Sequence, residues 1–175
     1  TISICIPCFP RDTAKLEKLI NSINKQTVLP NTIIIGHSEM SEIDARKLED
    51  KYLSNPIKVV VISTPKQQWA AGNRNMATSI NTNDYITFID ADDTMFPNRI
   101  QILLDIINKY NPFSIIHNFT TDSNYKYNNK IKDIKLGKEV YDISKKDKTL
   151  HLSSIQVHHG HITIHKDVLN SASYS

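Results

Sequence analysis

The segment Phe88-Ile89-Asp90-Ala91-Asp92-Asp93 places three carboxylates at the end of an apolar run. Side chains alternate along an extended chain, so Asp90 and Asp92 point the same way if the extension persists. Two carboxylates about 5 Å apart repel by roughly 3 kcal/mol at an effective dielectric of 20. A divalent cation relieves that repulsion. Oxygen-only ligands suit Mn²⁺ or Mg²⁺, with phosphate oxygens and water completing the shell. Such an ion serves as a Lewis acid for a diphosphate leaving group. Asp92 and Asp90 are therefore the candidate metal ligands. In the competing reading these aspartates only cap the helix that starts near Pro97. A bare Asp-x-Asp favours capping, because short motifs recur by chance. Its position among the elements reverses that preference.

Those elements alternate. Ile2–Ile6, Thr32–Ile35, Ile57–Ile62 and Tyr85–Ile89 read as buried strands, with Phe113–His117 as a fifth. Between them, Thr13–Asn24 reads as a helix with Leu16, Leu19, Ile20 and Ile23 at three- and four-residue steps, and Ser41–Leu53, Trp69–Ile80 and Pro97–Tyr110 read as further helices, the last with Pro97 near its first turn. A β-α-β-α-β-α-β-α-β order predicts a mainly parallel sheet with helices on both faces, a three-layer α/β sandwich. Ligands of such sheets bind beyond the carboxyl ends of the strands. The residues there are Pro7–Arg11, Gly36–Glu39, Ser63–Lys66 and Asp90–Asp93. The triple aspartate thus falls on the binding edge. Arg74, on the third helix, adds a fixed planar charge suited to phosphate or carboxylate.

After Phe119 the pattern changes. Residues 118–129 are rich in Asn, Thr, Ser and Tyr, and 130–148 are rich in Lys. Then come His151, His158, His159, His161 and His165. If 156–165 is extended, His159, His161 and His165 share one face. Imidazole can ligate a metal, bind hydroxyls or act as a base, and His159 and His161 are the candidates for contact with a sugar, a metal or an acceptor. The lysine run reads as a solvated face.

Composition is that of an ordinary globular chain of 175 residues with a net charge of +3. Nucleic acid is not an expected partner, since no arginine-rich or aromatic motif accompanies the lysines. No apolar run approaches the roughly 20 residues that span a membrane, and no secretory pattern is present. The expectation is a cytoplasmic chain without membrane contact of its own. Cys5 and Cys8 have C-x-x-C spacing, but Pro7 lies between them and no second ligand pair accompanies them. They are expected to be a buried strand thiol and a loop thiol.

Several segments together resemble the family 2 glycosyltransferases of the GT-A fold. Ile2-Ser3-Ile4-Cys5-Ile6-Pro7-Cys8-Phe9 resembles the family's first strand and proline turn. Ser22-Ile23-Asn24-Lys25-Gln26-Thr27 resembles the end of its first helix, and Ala70-Ala71-Gly72-Asn73-Arg74-Asn75-Met76-Ala77 the helix before its metal strand. Asp84 through Asp93, followed by Pro97, is the most specific match. Gly160 through Leu169 resembles the acceptor-side strand. The resemblance implies a GT-A, Rossmann-like fold and transfer of a sugar from a nucleoside diphosphate donor, uridine-linked, to a carbohydrate or other hydroxyl acceptor, with a metal and with inversion. It implies that Pro7, Phe9, Arg11, Ser38, Glu39, Arg74, Asp90 and Ala91 border the donor and that Asp92 holds the metal.

Two departures accompany the match. The family often has acidic residues after the second strand, where this chain has Gly36-His37-Ser38-Glu39. Its catalytic base lies in a Glu-Asp pair beyond the acceptor strand, and no such pair follows Leu169. The expectation is one GT-A domain over residues 1–175, with 1–119 binding donor and 120–175 facing acceptor, truncated at its C-terminus. Two alternatives stay open: a nucleotide-sugar-binding module without turnover, and a sugar nucleotidyltransferase. The second usually has a glycine-rich loop after the first strand, absent from Cys8-Phe9-Pro10-Arg11.

Overall fold

The computed structural model describes residues 1–116, 121, 160 and 162–171. Six strands form one sheet in the order β3-β2-β1-β4-β6-β5. They are β1 (Ile2–Cys8), β2 (Thr32–Ser38), β3 (Lys58–Thr64), β4 (Tyr85–Phe88), β5 (Ser114–Ile116) and β6 (Ile162–His165). The first four pair in parallel, and β6 runs antiparallel to both β4 and β5. The expected parallel core and α/β class are present. β5 is not next to β4: β6 lies between them. That insertion is a non-local pairing, invisible to local periodicity.

Period-2 alternation splits the interior into two layers. Ile2, Ile4, Ile6, Ile33 and Ile35 face α1 (Leu16–Asn24) and α4 (Arg99–Tyr110), against Leu16, Leu19, Ile20, Ile23, Ile100 and Leu103. Cys5, Ile34, Ile86 and Phe88 face the other way, toward Ala77 of α3 (Ala70–Ser79) and Leu169 of α5 (Lys166–Ser171). Leu48 of α2 (Glu42–Asp50) packs on the first layer. Helices therefore cover both faces. Ser41 caps α2, its hydroxyl accepting from Asp44 N at 3.1 Å.

α1 starts later than its apolar pattern suggests. Residues Pro10–Lys15 form a 3-10 turn with no side-chain cap. The Asp12 carboxylate, instead of capping, accepts from Lys15 Nζ at 2.8 Å. Both cysteines belong to β1 and are fully buried, Cys8 included. Burial pushes the Cys5 thiol well up and the Cys8 thiol up to about 12, so neither offers a thiolate. Among the described residues no helix is long and apolar enough to cross a membrane.

Candidate functional site

The strand order fixes where the crevice lies. From β1 the chain moves outward to β2 and β3, then returns to lay β4 on the other side of β1. The connections after β1 and β4 therefore diverge, leaving a crevice at the carboxyl ends of those two strands. The turn after Cys8 and the loop Asp90–Asp93 border it.

β4 ends at Phe88, and the chain turns rather than staying extended, with Asp93 N donating to Asp90 O at 3.1 Å. The two aspartates take different partners. Arg74 Nη2 donates to Asp90 Oδ1 at 2.6 Å. The Arg74 side chain is only 5% exposed and that of Asp90 27%, so this is a largely buried, charge-assisted pair. Asp92 is 56% exposed and faces the 3-10 turn, where Lys15 Nζ lies 3.5 Å from its Oδ2. The same ammonium holds Asp12. The Asp12 hydrogen bond raises the Lys15 pKa. Burial pushes the Asp12 carboxyl up, but hydrogen bonds and charge from Lys15 and Arg11 outweigh it and leave the group below its ordinary value.

This donor set fits a divalent ion held mainly by substrate. Among the described residues no three His, Cys, Asp or Glu side chains converge as a metal cage. Mg²⁺ typically takes only one or two protein carboxylates plus phosphate oxygens and water. Asp92, exposed at the crevice mouth, is the carboxylate with room for that role, whereas Asp90 is engaged by Arg74.

On the other side, α3 lies close against the sheet. A Cβ on Gly36 would stand 2.2 Å from Asn73 O, so only glycine permits the approach. Asn73 is fully buried. Its Nδ2 donates to Cys8 O at 2.8 Å and to Ser38 Oγ at 3.2 Å, spanning the ends of β1 and β2. His37 is 1% exposed. Its Nδ1 donates to Ser38 O at 2.7 Å, since a carbonyl only accepts, which leaves Nε2 to accept from the Thr13 hydroxyl at 2.8 Å. Burial lowers its pKa. Pro7 and Ala91 are buried and Phe9 is half-buried. Arg11 is exposed, its guanidinium carbon 5.4 Å from the Phe9 ring centroid. Glu39 is exposed and adopts φ 57, left-handed and uncommon outside glycine, pinned by Glu39 N to Lys66 O at 3.2 Å.

The aspartate loop is braced from below by the end of α1. Gln26 Nε2 donates to Phe96 O at 2.7 Å, and its Oε1 accepts from Ile100 N at 3.0 Å. Met95 N donates to Ser22 Oγ at 3.0 Å, and Thr27 N to Pro97 O at 2.7 Å. Arg99 Nη2 reaches Thr87 Oγ1, Phe88 O and Gly160 O at 2.8, 2.8 and 2.9 Å. It thereby ties the return of the chain to the end of β4. Burial lowers the Arg99 pKa to about 10.

His159 and His161 lie outside the described residues, as do His151 and His158. His165 pairs with Tyr85 at the amino end of β4, opposite the crevice. Sequence reasoning missed Asp12, Lys15, Asn73 and Arg99 as parts of this edge. None belongs to a short-range pattern that announces the contact.

Comparison with known proteins gives the family. The family model for glycosyl transferase family 2 matches residues 3–170. The chain belongs to glycosyl transferase family 2. An uncharacterized glycosyltransferase of Haemophilus influenzae is 29% identical over 106 residues, covering 61% of this chain and 34% of the relative. Glycosyltransferase GlyG of Streptococcus pneumoniae serotype 4 is 28% identical over 119 residues, 67% of this chain and 38% of the relative. The chain thus spans a little over a third of the length of these relatives. In fold it is similar to S. aureus TarS 1–349 in complex with UDP-GlcNAc, with TM-score 0.58, 16% identity, and 73% of this chain and 37% of that one covered. It is also similar to the mannosyltransferase PcManGT of Pyrobaculum calidifontis in complex with GDP-Man and Mn²⁺, with TM-score 0.50, 13% identity, and coverage of 65% and 34%.

Proposed function

We propose that this chain binds the nucleoside diphosphate sugar of a glycosyl transfer reaction, uridine-linked, with Mn²⁺ or Mg²⁺ held at Asp92. The observation that carries the reading is the split of the aspartate loop at the crevice: Asp90 clamped by buried Arg74, and Asp92 two residues later left exposed. Residues 1–119 form the donor half and 120–175 the acceptor half of one domain. In family relatives of this fold, TarS was solved with UDP-GlcNAc and PcManGT with GDP-Man and Mn²⁺, which supports the donor class.

The chemistry divides among few groups. A divalent ion at Asp92 would neutralise the charge that develops on the departing diphosphate. Lys15, held by Asp12 beside Asp92, adds a second positive charge on that side. Arg74 fixes Asp90 and the turn, so that Asp92 is presented without reorganisation. The turn after Cys8, with Phe9 and Arg11, and the segment Ser38–Glu39 border the nucleoside. A carbohydrate or other hydroxyl acceptor approaches from the side of β6, with His159 and His161 as candidates for its base, and transfer proceeds with inversion.

Calorimetric titration of UDP and GDP, with Mg²⁺ and with EDTA, tests the reading. Metal should strengthen binding, and Asp92→Asn should weaken the metal-dependent affinity at least about 10-fold, the loss of one charge-assisted contact. Equal affinity with metal and with EDTA defeats the metal role. Mixing the chain with donor sugars and assaying nucleoside diphosphate release then separates a transferase from a binding module.

A further inference from the structure

Lys15 stands between two carboxylates and holds them unequally. Its Nζ donates to Asp12 Oδ1 at 2.8 Å, and Asp92 Oδ2 lies 3.5 Å from the same nitrogen. The first distance is that of a full charge-assisted hydrogen bond, and the second is longer than a good one. Burial divides the two further. The Asp12 side chain is 11% exposed and that of Asp92 56%. A nearly buried carboxylate depends on its partner, because its desolvation is otherwise uncompensated. An exposed pair costs little to break. Lys15 therefore has one fixed bond and one exchangeable bond.

The sequence builds this asymmetry into the turn after β1. Residues Pro10–Lys15 form a 3-10 turn, in which side chains three residues apart eclipse each other. Lys15 thus stands directly over Asp12. Leu16, the next residue, is fully buried and anchors the start of α1. The second Asp12 oxygen faces Arg11, whose Nε lies 3.4 Å from Oδ2. Both Asp12 oxygens are engaged by cations of their own turn. Asp92 is the member of this cluster that can change partners. The Lys15 side chain is half exposed, so its ammonium can leave Asp92 without disturbing the core.

From this we infer that Lys15 competes with the divalent ion for Asp92. The inference rests on the donor reading above and adds an order of binding to it. An ammonium and a divalent ion repel each other, so Lys15 weakens the attraction of Asp92 for a bare ion. A diphosphate changes the balance. Its oxygens accept from the displaced ammonium and also supply the ligands that one carboxylate leaves open. Metal and nucleotide therefore enter together, each held weakly without the other. Asp12 is the positioning residue, keeping the displaced ammonium within reach of the diphosphate.

The test uses the 175-residue chain with Mn²⁺ alone and with the tighter binder of UDP and GDP. Electron paramagnetic resonance of free Mn²⁺ measures binding of the bare ion, and calorimetry in EDTA measures the nucleotide without metal. Lys15→Gln should bind bare Mn²⁺ at least about 5-fold more tightly at low salt, since one neighbouring positive charge is removed. The same variant should bind the nucleotide in EDTA about 3- to 10-fold more weakly, through loss of one charge-assisted contact. The two effects have opposite signs, whereas a turn merely loosened by the substitution would weaken both. Lys15→Arg keeps the charge and should return both constants to within about 3-fold of wild type. Unchanged or weaker Mn²⁺ binding in Lys15→Gln overturns the competition. Nucleotide binding in EDTA that is absent from the wild type, or unchanged in Lys15→Gln, overturns the phosphate contact. In both cases Mn²⁺-dependent nucleotide binding by the wild type leaves the donor reading standing. Wild-type nucleotide affinity that is equal with Mn²⁺ and with EDTA overturns this inference together with the metal role.

Discussion

The two edges of the sheet handle charged groups in opposite ways. At the amino edge, Asp84 accepts from the Thr1 amino group at 3.1 Å and from Lys166 Nζ at 2.9 Å. All three side chains are about half exposed. At the carboxyl edge, Arg74, Asn73, His37, Ser38 and the Arg99 guanidinium are withdrawn from solvent. Exposed ion pairs contribute little, because water screens the attraction and two flexible side chains must be ordered. Buried polar groups carry a desolvation cost that only well-formed partners offset. A fold seeking stability alone would place apolar side chains at both edges. The amino edge buries neutral groups, Asn83 Nδ2 donating to Ser3 Oγ at 2.6 Å; among the described residues the buried charges of Arg74 and Asp12 lie at the carboxyl edge, where the proposed donor site lies.

The largest effect that separates the edges should come from Arg74. Arg74→Met leaves Asp90 without its guanidinium and should cost about 2–3 kcal/mol, below the loss for a fully buried pair because Asp90 reaches some water. Urea denaturation measures it. A cost under 0.5 kcal/mol would make this pair equivalent to a surface one and erase the contrast. Arg74→Lys should keep part of the stability yet weaken donor binding, since an ammonium does not reproduce the planar fork.

Arg99 sharpens the comparison because its partners are neutral. Arg99→Met strands two main-chain carbonyls and the Thr87 hydroxyl, for about 1–3 kcal/mol. It also releases Gly160 from the end of β4. Hydrogen exchange should then rise in β6 more than in β1 or β2. Uniform exchange across the sheet would deny Arg99 its role as the tie.

His37 links the carboxyl edge to pH. Burial depresses its folded pKa, so the folded protein keeps the ring neutral while the unfolded chain binds a proton below about 6.5. The neutral ring's contribution is complete above that value and is lost as pH falls through it toward the folded pKa. Urea midpoints at pH 7.5 and 5.5 should differ less in His37→Gln than in the wild type. A wild-type midpoint that rises on acidification reverses the sign and refutes the assignment.

The smallest effect belongs to the amino edge. Hydrogen bonds from Lys166 and Thr1 hold the Asp84 carboxyl well below the usual carboxylate range. Its contribution is present above the unfolded value near 4 and is lost below it. Solvent exposure keeps that contribution small, so Asp84→Asn should move Tm by only about 1–2 °C at pH 7. A shift as large as that of Arg74→Met would show that the two edges are not different after all.

Much of the frame was legible in the chain itself. The continuous apolar runs of β1 to β4 and the four-residue steps of Leu16, Leu19, Ile20 and Ile23 record burial on one or two faces, which local periodicity reports directly. The position of Asp90–Asp93 after an apolar strand already placed carboxylates at the binding edge, and the motifs around Pro7, Arg74 and Asp90 already pointed to family 2. Tertiary structure decided the rest. Extension was expected to carry on through Asp90, but the chain turns there, and two distant cations, Arg74 and Lys15, each take one of the two aspartates. His37 followed a strand with nothing local to mark it as sealed, because Thr13 reaches it only across the fold. β6 enters between β4 and β5 from more than forty residues downstream of β5, and Arg99 holds it there through Gly160 O. Periodicity encodes how each segment meets water. Which charge meets which is set by the packing of segments far apart in the chain, where a 3 Å contact leaves no trace in spacing.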